Sequence, residues 1–211
     1  MIPKRLQHIL KSRMGLDAEY ALCTDSALTS LNWFESYRLK RACGASGEAI
    51  PWFTYPAIAF LERSVPKEAL VFEFGSGAGT VWWARHCQAV QACEHDAEWA
   101  RRTRLDLPPH ATVTTCEDGP GYARSIMEAG SPDIVVIDGI RRTECLDRTL
   151  EAISRRGVII WDNAEREDGV EGQSLLAGLA WRSIPFHGMG PVNTYAWCTT
   201  VWYRDQNILG I

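Results

Sequence analysis

The stretch VFEFGSGAGT, residues 71–80, brings an apolar run to a carboxylate, Glu73, and follows it with three glycines spaced by single residues, Gly75, Gly77 and Gly79. An apolar run that opens into a glycine loop and then a helical pattern is a strand–turn–helix unit whose loop lets backbone approach a ligand closely. The loop alone fits NAD, FAD or another nucleotide-like cofactor. Two features narrow the choice. Thr80 stands where the dinucleotide pattern G-x-G-x-x-G asks for Gly or Ala. A dinucleotide also lays its pyrophosphate over this turn, where Glu73 repels it, whereas a ligand with an ammonium and a sulfonium is attracted.

Outward from this unit the chain alternates apolar runs (ALVFEFG, AVQACEHD, ATVTTCE, DIVVIDG, GVIIWDN) with helical patterns (VWWARHC, DAEWARRTRL, PGYARSIMEA, TECLDRTLEAISRR). That rhythm predicts a parallel sheet covered on both faces, and right-handed crossovers make it doubly wound, with ligands at the carboxyl ends of the strands. Glu73, Glu94, Glu117, Asp138 and Asp162 each end or follow one of these runs. The tail IPFHGMGPVNTYAWCTTVWYRD reads as two strands around a Gly/Pro loop, a terminal antiparallel hairpin. The expected fold class is therefore α/β, a doubly wound, mostly parallel seven-stranded sheet with a C-terminal antiparallel hairpin.

Residues 1–48 differ: amphipathic stretches at Leu6, Ile9 and Leu10 and at Leu28, Leu31 and Phe34 predict a helical appendage or lid ahead of a ligand-binding domain at 49–211. IPWFTYPAIAFLERSV, 50–65, predicts a helix entered near Pro56. Trp82 and Trp83 are expected in the core. The chain of 211 residues is 46% hydrophobic and 23% charged, enough for one sizeable core. A net charge of −4 argues against nucleic-acid or anionic-membrane binding, while eighteen of the twenty-two basic residues are Arg, suited to carboxylates and phosphates. Seven scattered cysteines without a C-x-x-C pair suggest neither zinc nor a disulfide framework, and with no signal-peptide or membrane-length apolar run the expected location is cytoplasmic.

Glu73 with Gly75, Gly77 and Gly79 resembles the first motif of the class I S-adenosylmethionine-dependent methyltransferases, an acid, one residue, then G-x-G-x-G. The resemblance covers about residues 50–205 and implies the Rossmann-like methyltransferase fold, with S-adenosyl-L-methionine held by Glu73, Gly75, Ser76, Gly77, Gly79, Thr80, Glu94, His95 and Asp138. Glu94 then corresponds to the acid that accepts from the ribose hydroxyls, although it also reads as a cap for the helix beginning near Asp96. Glu117 or Asp118 is offered to the adenine amine, and the sequence does not choose between them.

Asp138, Asp162 and Asn163 end the fourth and fifth strands, and two carboxylates with an amide oxygen are hard ligands suited to Mg²⁺. They resemble the metal site of catechol-type and caffeoyl-CoA-type O-methyltransferases, while a second reading makes them turn and capping residues. Those enzymes carry a Lys soon after the first Asp; here stand Arg141 and Arg142, which are not useful bases. The D-G element Asp138–Arg141 and a D-N element reaching Arg166 look closer to bacterial members without an assigned substrate. Candidate catalytic residues are Asp138, His187, as a base in the absence of metal, and Arg141. Arg141, Arg142 and Arg166 clamp an anionic acceptor or neutralise Asp138 and Asp162. The expected partners are a small-molecule acceptor and, in a homodimer, a second copy. The alternatives are an NAD-type oxidoreductase and a cofactor-binding module without turnover.

Overall fold

The computed structural model describes Ser12, Gly15 and residues 17–211. The amphipathic stretch at Leu6, Ile9 and Leu10 lies outside them. Helix α1 spans Asp17–Thr24, and the second stretch is divided into α2 (Ala27–Ser30) and α3 (Trp33–Leu39). The break falls at Asn32, in a left-handed conformation at φ 59° and with its amide donating to Gly44 O at 2.8 Å. Helix α4 (Tyr55–Ser64) carries Pro56 in its first turn, where the missing N–H leaves no helical bond unmade.

Strands β1 (Leu70–Phe74), β2 (Ala89–Glu94), β3 (Ala111–Thr115), β4 (Ile134–Ile137) and β5 (Val158–Trp161) alternate with α5 (Ala78–His86), α6 (Ala97–Leu105), α7 (Pro120–Arg124) and α8 (Arg142–Ala152). Helix α9 (Glu167–Gly178) leads to β6 (Arg182–Gly188) and β7 (Trp197–Tyr203). One seven-stranded sheet results, in the order β3-β2-β1-β4-β5-β7-β6. β1 to β5 run parallel, and β7 enters antiparallel between β5 and β6. The chain order reverses at β1/β4, which places the ligand crevice above those two strands.

Both faces are apolar, as a covered parallel sheet requires. Val71, Val90, Val136 and Ile160 pack under α4 and α5 with Trp82 and Trp83. Phe72, Val135 and Ile159 pack on the other side with Tyr122, Leu146 and Trp161. The two-residue period of a strand then fixes what comes at its end. Glu73, Glu94, Asp138 and Asp162 share parity with Val71, Val90, Val136 and Ile160, so all four acids belong to the α4/α5 face. All seven cysteines are free. Among the described residues no helix is long and apolar enough to cross a membrane.

Candidate functional site

A cavity of about 650 Å³ opens at the carboxyl ends of β1, β2 and β4. Gly75, Ser76, Gly77 and Gly79 form its floor, with Glu73, Glu94, His95 and Asp138 around them. The segment between α3 and α4 forms the roof through Lys40, Arg41, Glu48, Trp52 and Phe53. This roof is tied to the sheet domain: Trp33 Nε1 donates to Asn193 O at 2.9 Å, Thr54 N to Thr199 Oγ1 at 3.0 Å, and Thr54 Oγ1 to Phe186 O at 3.0 Å.

Local chemistry shapes the loop. Gly75 turns at φ +97°, a conformation that L side chains rarely adopt, and its N–H donates to Cys93 O at 2.9 Å. Thr80 is buried beneath the loop. Its hydroxyl accepts from Gly77 N at 3.0 Å and donates to Glu73 Oε2. Gly79 is needed for space, since a Cβ there would stand 2.8 Å from Glu73 Oε1.

Glu73 is 4% exposed. Burial pushes its pKa up to about 8; the Thr80 hydroxyl works against the rise, and the Glu94 charge adds to it. No cation pairs with Glu73 among the described residues, so ionisation there lacks protein compensation. Glu94, also buried, is saturated. Its Oε2 accepts from Ser76 N at 3.0 Å and Ser76 Oγ at 3.2 Å, and its Oε1 from Asp96 N at 3.0 Å, with His95 Nδ1 at 2.9 Å. The helix cap is a different acid: Asp96 Oδ1 accepts from Trp99 N at 2.9 Å.

Asp138 lines the cavity. Its pKa rises chiefly through burial; Arg142 opposes the rise, Glu73 adds to it, Arg166 opposes and Glu94 adds. The side chain keeps 32% of its surface, so the desolvation is felt most when a ligand fills the cavity. Arg142, by contrast, is buried. Its Nε donates to Gly139 O at 3.1 Å, its Nη1 to Asp162 O, and its Nη2 to Asp138 O at 3.3 Å, Asp138 Oδ1 at 3.4 Å and Asn163 Oδ1 at 3.4 Å.

This arrangement gives the expected metal ligands other partners. The guanidinium of Arg142 fills the space between Asp138, Asp162 and Asn163. The Asp162 carboxylate turns away, accepting from Trp197 Nε1 at 3.1 Å and from Thr199 Oγ1 on Oδ1. Burial and the Asp138 charge hold its pKa well above the usual carboxylate range. Among the described residues no cluster of three or more His, Cys, Asp or Glu is arranged to hold a metal ion. The donor set as folded does not fit Mg²⁺, which takes oxygen ligands at about 2.1 Å in an octahedron.

Other expected residues stand elsewhere. His187 is exposed on edge strand β6, because Phe186 beside it turns toward Phe60 and the alternation sends His187 to the opposite face. Arg141 lies outside the cavity wall, bonded to Glu144 Oε1 at 2.7 Å and Asp118 Oδ1 at 3.2 Å. Glu117 is exposed, and neither it nor Asp118 joins the wall. Of the three arginines, Arg142 neutralises acids, Arg141 pairs outside, and Arg166 lines the cavity without a side-chain hydrogen bond to any of the described residues. The sequence reading missed Trp99, whose ring walls the cavity and whose Nε1 donates to Ser76 O at 2.6 Å. Its signal was an aromatic in the first turn of the helix that follows Glu94.

No family model matches the sequence, and no curated protein does. Solved structures do. A methyltransferase from Geobacter sulfurreducens is 17% identical, covers 92% of this chain and 96% of its own, and has a TM-score of 0.55. A precorrin-6y C5,15-methyltransferase from Geobacter metallireducens is 15% identical over 69% of this chain and 87% of its own, TM-score 0.55. A precorrin 8w decarboxylase from Methanobacterium thermoautotrophicum is 16% identical over 78% and 96%, TM-score 0.55. With the strand order, the reversed last pair and the acid beneath the glycine loop, the chain has the fold of the class I S-adenosylmethionine-dependent methyltransferases.

Proposed function

We propose that this protein transfers a methyl group from S-adenosylmethionine to a hydroxyl oxygen of a small-molecule acceptor. The observation that carries the reading is Glu73, a buried, cavity-lining carboxylate whose one hydrogen-bond donor among the described residues is the Thr80 hydroxyl. An ammonium supplies the cation that this site lacks, and a diphosphate would raise the cost of ionising Glu73 further. Glu73 would hold the amino group. Glu94 would hold the ribose, the hydroxyls taking over the places of Ser76 Oγ and His95, both able to rotate away.

When bound, the cofactor supplies an electrophilic methyl group. Little covalent chemistry is left to the protein, which must hold, align and dry the reactants. Trp52, Phe53 and Ile140 exclude water at the acceptor end. Asp138, with its raised pKa, takes the proton from the acceptor hydroxyl, and that need supports oxygen as the methylated atom. Arg166, a cavity-lining guanidinium, offers its fork to a carboxylate or phosphate on the acceptor.

Calorimetric titration of the native protein with S-adenosylmethionine, S-adenosylhomocysteine and NAD tests the reading. Micromolar binding of the first two is expected. Silence there with binding of NAD refutes it, and binding without turnover across a panel of hydroxylated acids leaves a cofactor-binding module.

A further inference from the structure

Arg142 is the first residue of α8, and its side chain is 5% exposed. Five hydrogen bonds leave it, to Gly139 O, Asp162 O, Asp138 O, Asp138 Oδ1 and Asn163 Oδ1. Four of these five acceptors belong to residues that the sequence marks as ligands for a divalent ion. We propose that Arg142 is the resident cation of the acceptor pocket, a guanidinium built into the chain that stands in place of a metal and fixes Asp138 at the cavity wall. The inference deepens the methyl-transfer reading and rests on it only in calling this the acceptor end.

Charge balance and geometry support the substitution. The Arg142 charge acts on both Asp138 and Asp162, and Arg166 also acts on Asp138, so two built-in cations already offset these two acids. A magnesium ion at about 2.1 Å from Asp138 Oδ1 and Asn163 Oδ1 would occupy the volume of the Arg142 Nη2 that now donates to both. Asp162 offers no compensation, because its carboxylate is engaged by Trp197 and Thr199. A planar fork with five N–H groups can link backbone carbonyls and side-chain oxygens of two loops at once, which a lysine cannot.

The consequence reaches the acceptor. A divalent ion binds two oxygens of a vicinal diol together, whereas Arg142 commits four of its five N–H groups to the protein and has one Nη1 N–H left. An acceptor in this pocket therefore presents a single oxygen to Asp138 and Arg142 and does not chelate. Arg142 acts through Asp138 and Asn163 and is a positioning residue.

The test is manganese binding followed by electron paramagnetic resonance, on the native protein and on Arg142→Ala, with S-adenosylhomocysteine saturation measured by calorimetry on the same samples. The native protein is expected to leave the spectrum that of the free ion. The variant, with its acids uncompensated, is expected to bind manganese about tenfold or more tightly than the native protein. Tight binding by the native protein overturns the proposal, and so does a folded variant no different from it. Thermal melting checks folding; if Arg142→Ala does not fold, Arg142→Gln, which loses the charge and keeps polar atoms, is read in the same way. Absence of S-adenosylhomocysteine binding sinks the methyl-transfer reading and leaves the manganese result to be judged alone.

Discussion

If Glu73 holds the ammonium of the ligand, as proposed, it couples binding to a proton. With its pKa at about 8 in the free protein, roughly one molecule in eleven has Glu73 ionised at pH 7. A cationic ligand group binds the ionised form, so ionising it at pH 7 costs roughly 1 kcal/mol before any contact is made. Binding therefore releases about 0.9 proton at pH 7 and about 0.5 at pH 8, and affinity rises about tenfold between pH 6 and pH 7. Calorimetry with S-adenosylhomocysteine in phosphate and in Tris, whose ionisation enthalpies differ, reads the proton directly. Glu73→Gln should weaken binding by roughly 1–3 kcal/mol and abolish the proton release. The same shift has a stability consequence. A carboxylate whose pKa is raised on folding destabilises the native state progressively as pH climbs from its unfolded value of 4.5 toward about 8. At pH 7 this difference amounts to about 3 kcal/mol, so the ligand-free Glu73→Gln protein should melt higher than the native one there. Flat affinity across this range, with no proton released by the native protein, would refute the uncompensated-carboxylate argument.

Gly139 touches Tyr122 so closely that a Cβ would stand 2.0 Å from the phenol oxygen and 3.0 Å from Gly75 N. Gly139→Ala should cost about 1–3 kcal/mol in chemical denaturation. Tyr122→Phe, which removes a buried hydroxyl without a hydrogen-bond partner among the described residues, should recover part of that loss in the double variant. Asp162→Ala strands the Trp197 and Thr199 donors and should destabilise by about 2–4 kcal/mol, while Asp162→Asn keeps an acceptor and should retain most of the stability. Equal losses for both would show that charge, not the hydrogen bonds, is what this position supplies.

The sheet was legible because its signals are local. Apolar runs such as VVI and VII at 135–137 and 158–160 cannot face water on either side, and the tail around His187 alternates as a hairpin does. The glycine loop was equally plain in Glu73 and its glycines, where one short segment carries both the turn and the charge. The surroundings of Asp138 were not, for two physical reasons. His187 follows Phe186, whose ring packs on Phe60, so strand alternation turns the imidazole to the outer face. The partner of Asp138 was open between an ion and an arginine, because a long flexible side chain can fold back or reach out. Arg141 and Arg142 are adjacent and alike in type, yet one sits at φ 52° and bonds outward while the next begins a helix and is buried. No local pattern separates them.

The tether from Trp33 to Asn193 spans 160 positions of sequence, and Thr54 reaches Phe186 and Thr199 in the same way. A chain emerging from the ribosome assembles its early strands first. The ceiling over the glycines must wait for the last strand to be synthesised, so nascent chains ending before residue 193 would present an open trough, and ligand capture becomes a late event in biogenesis.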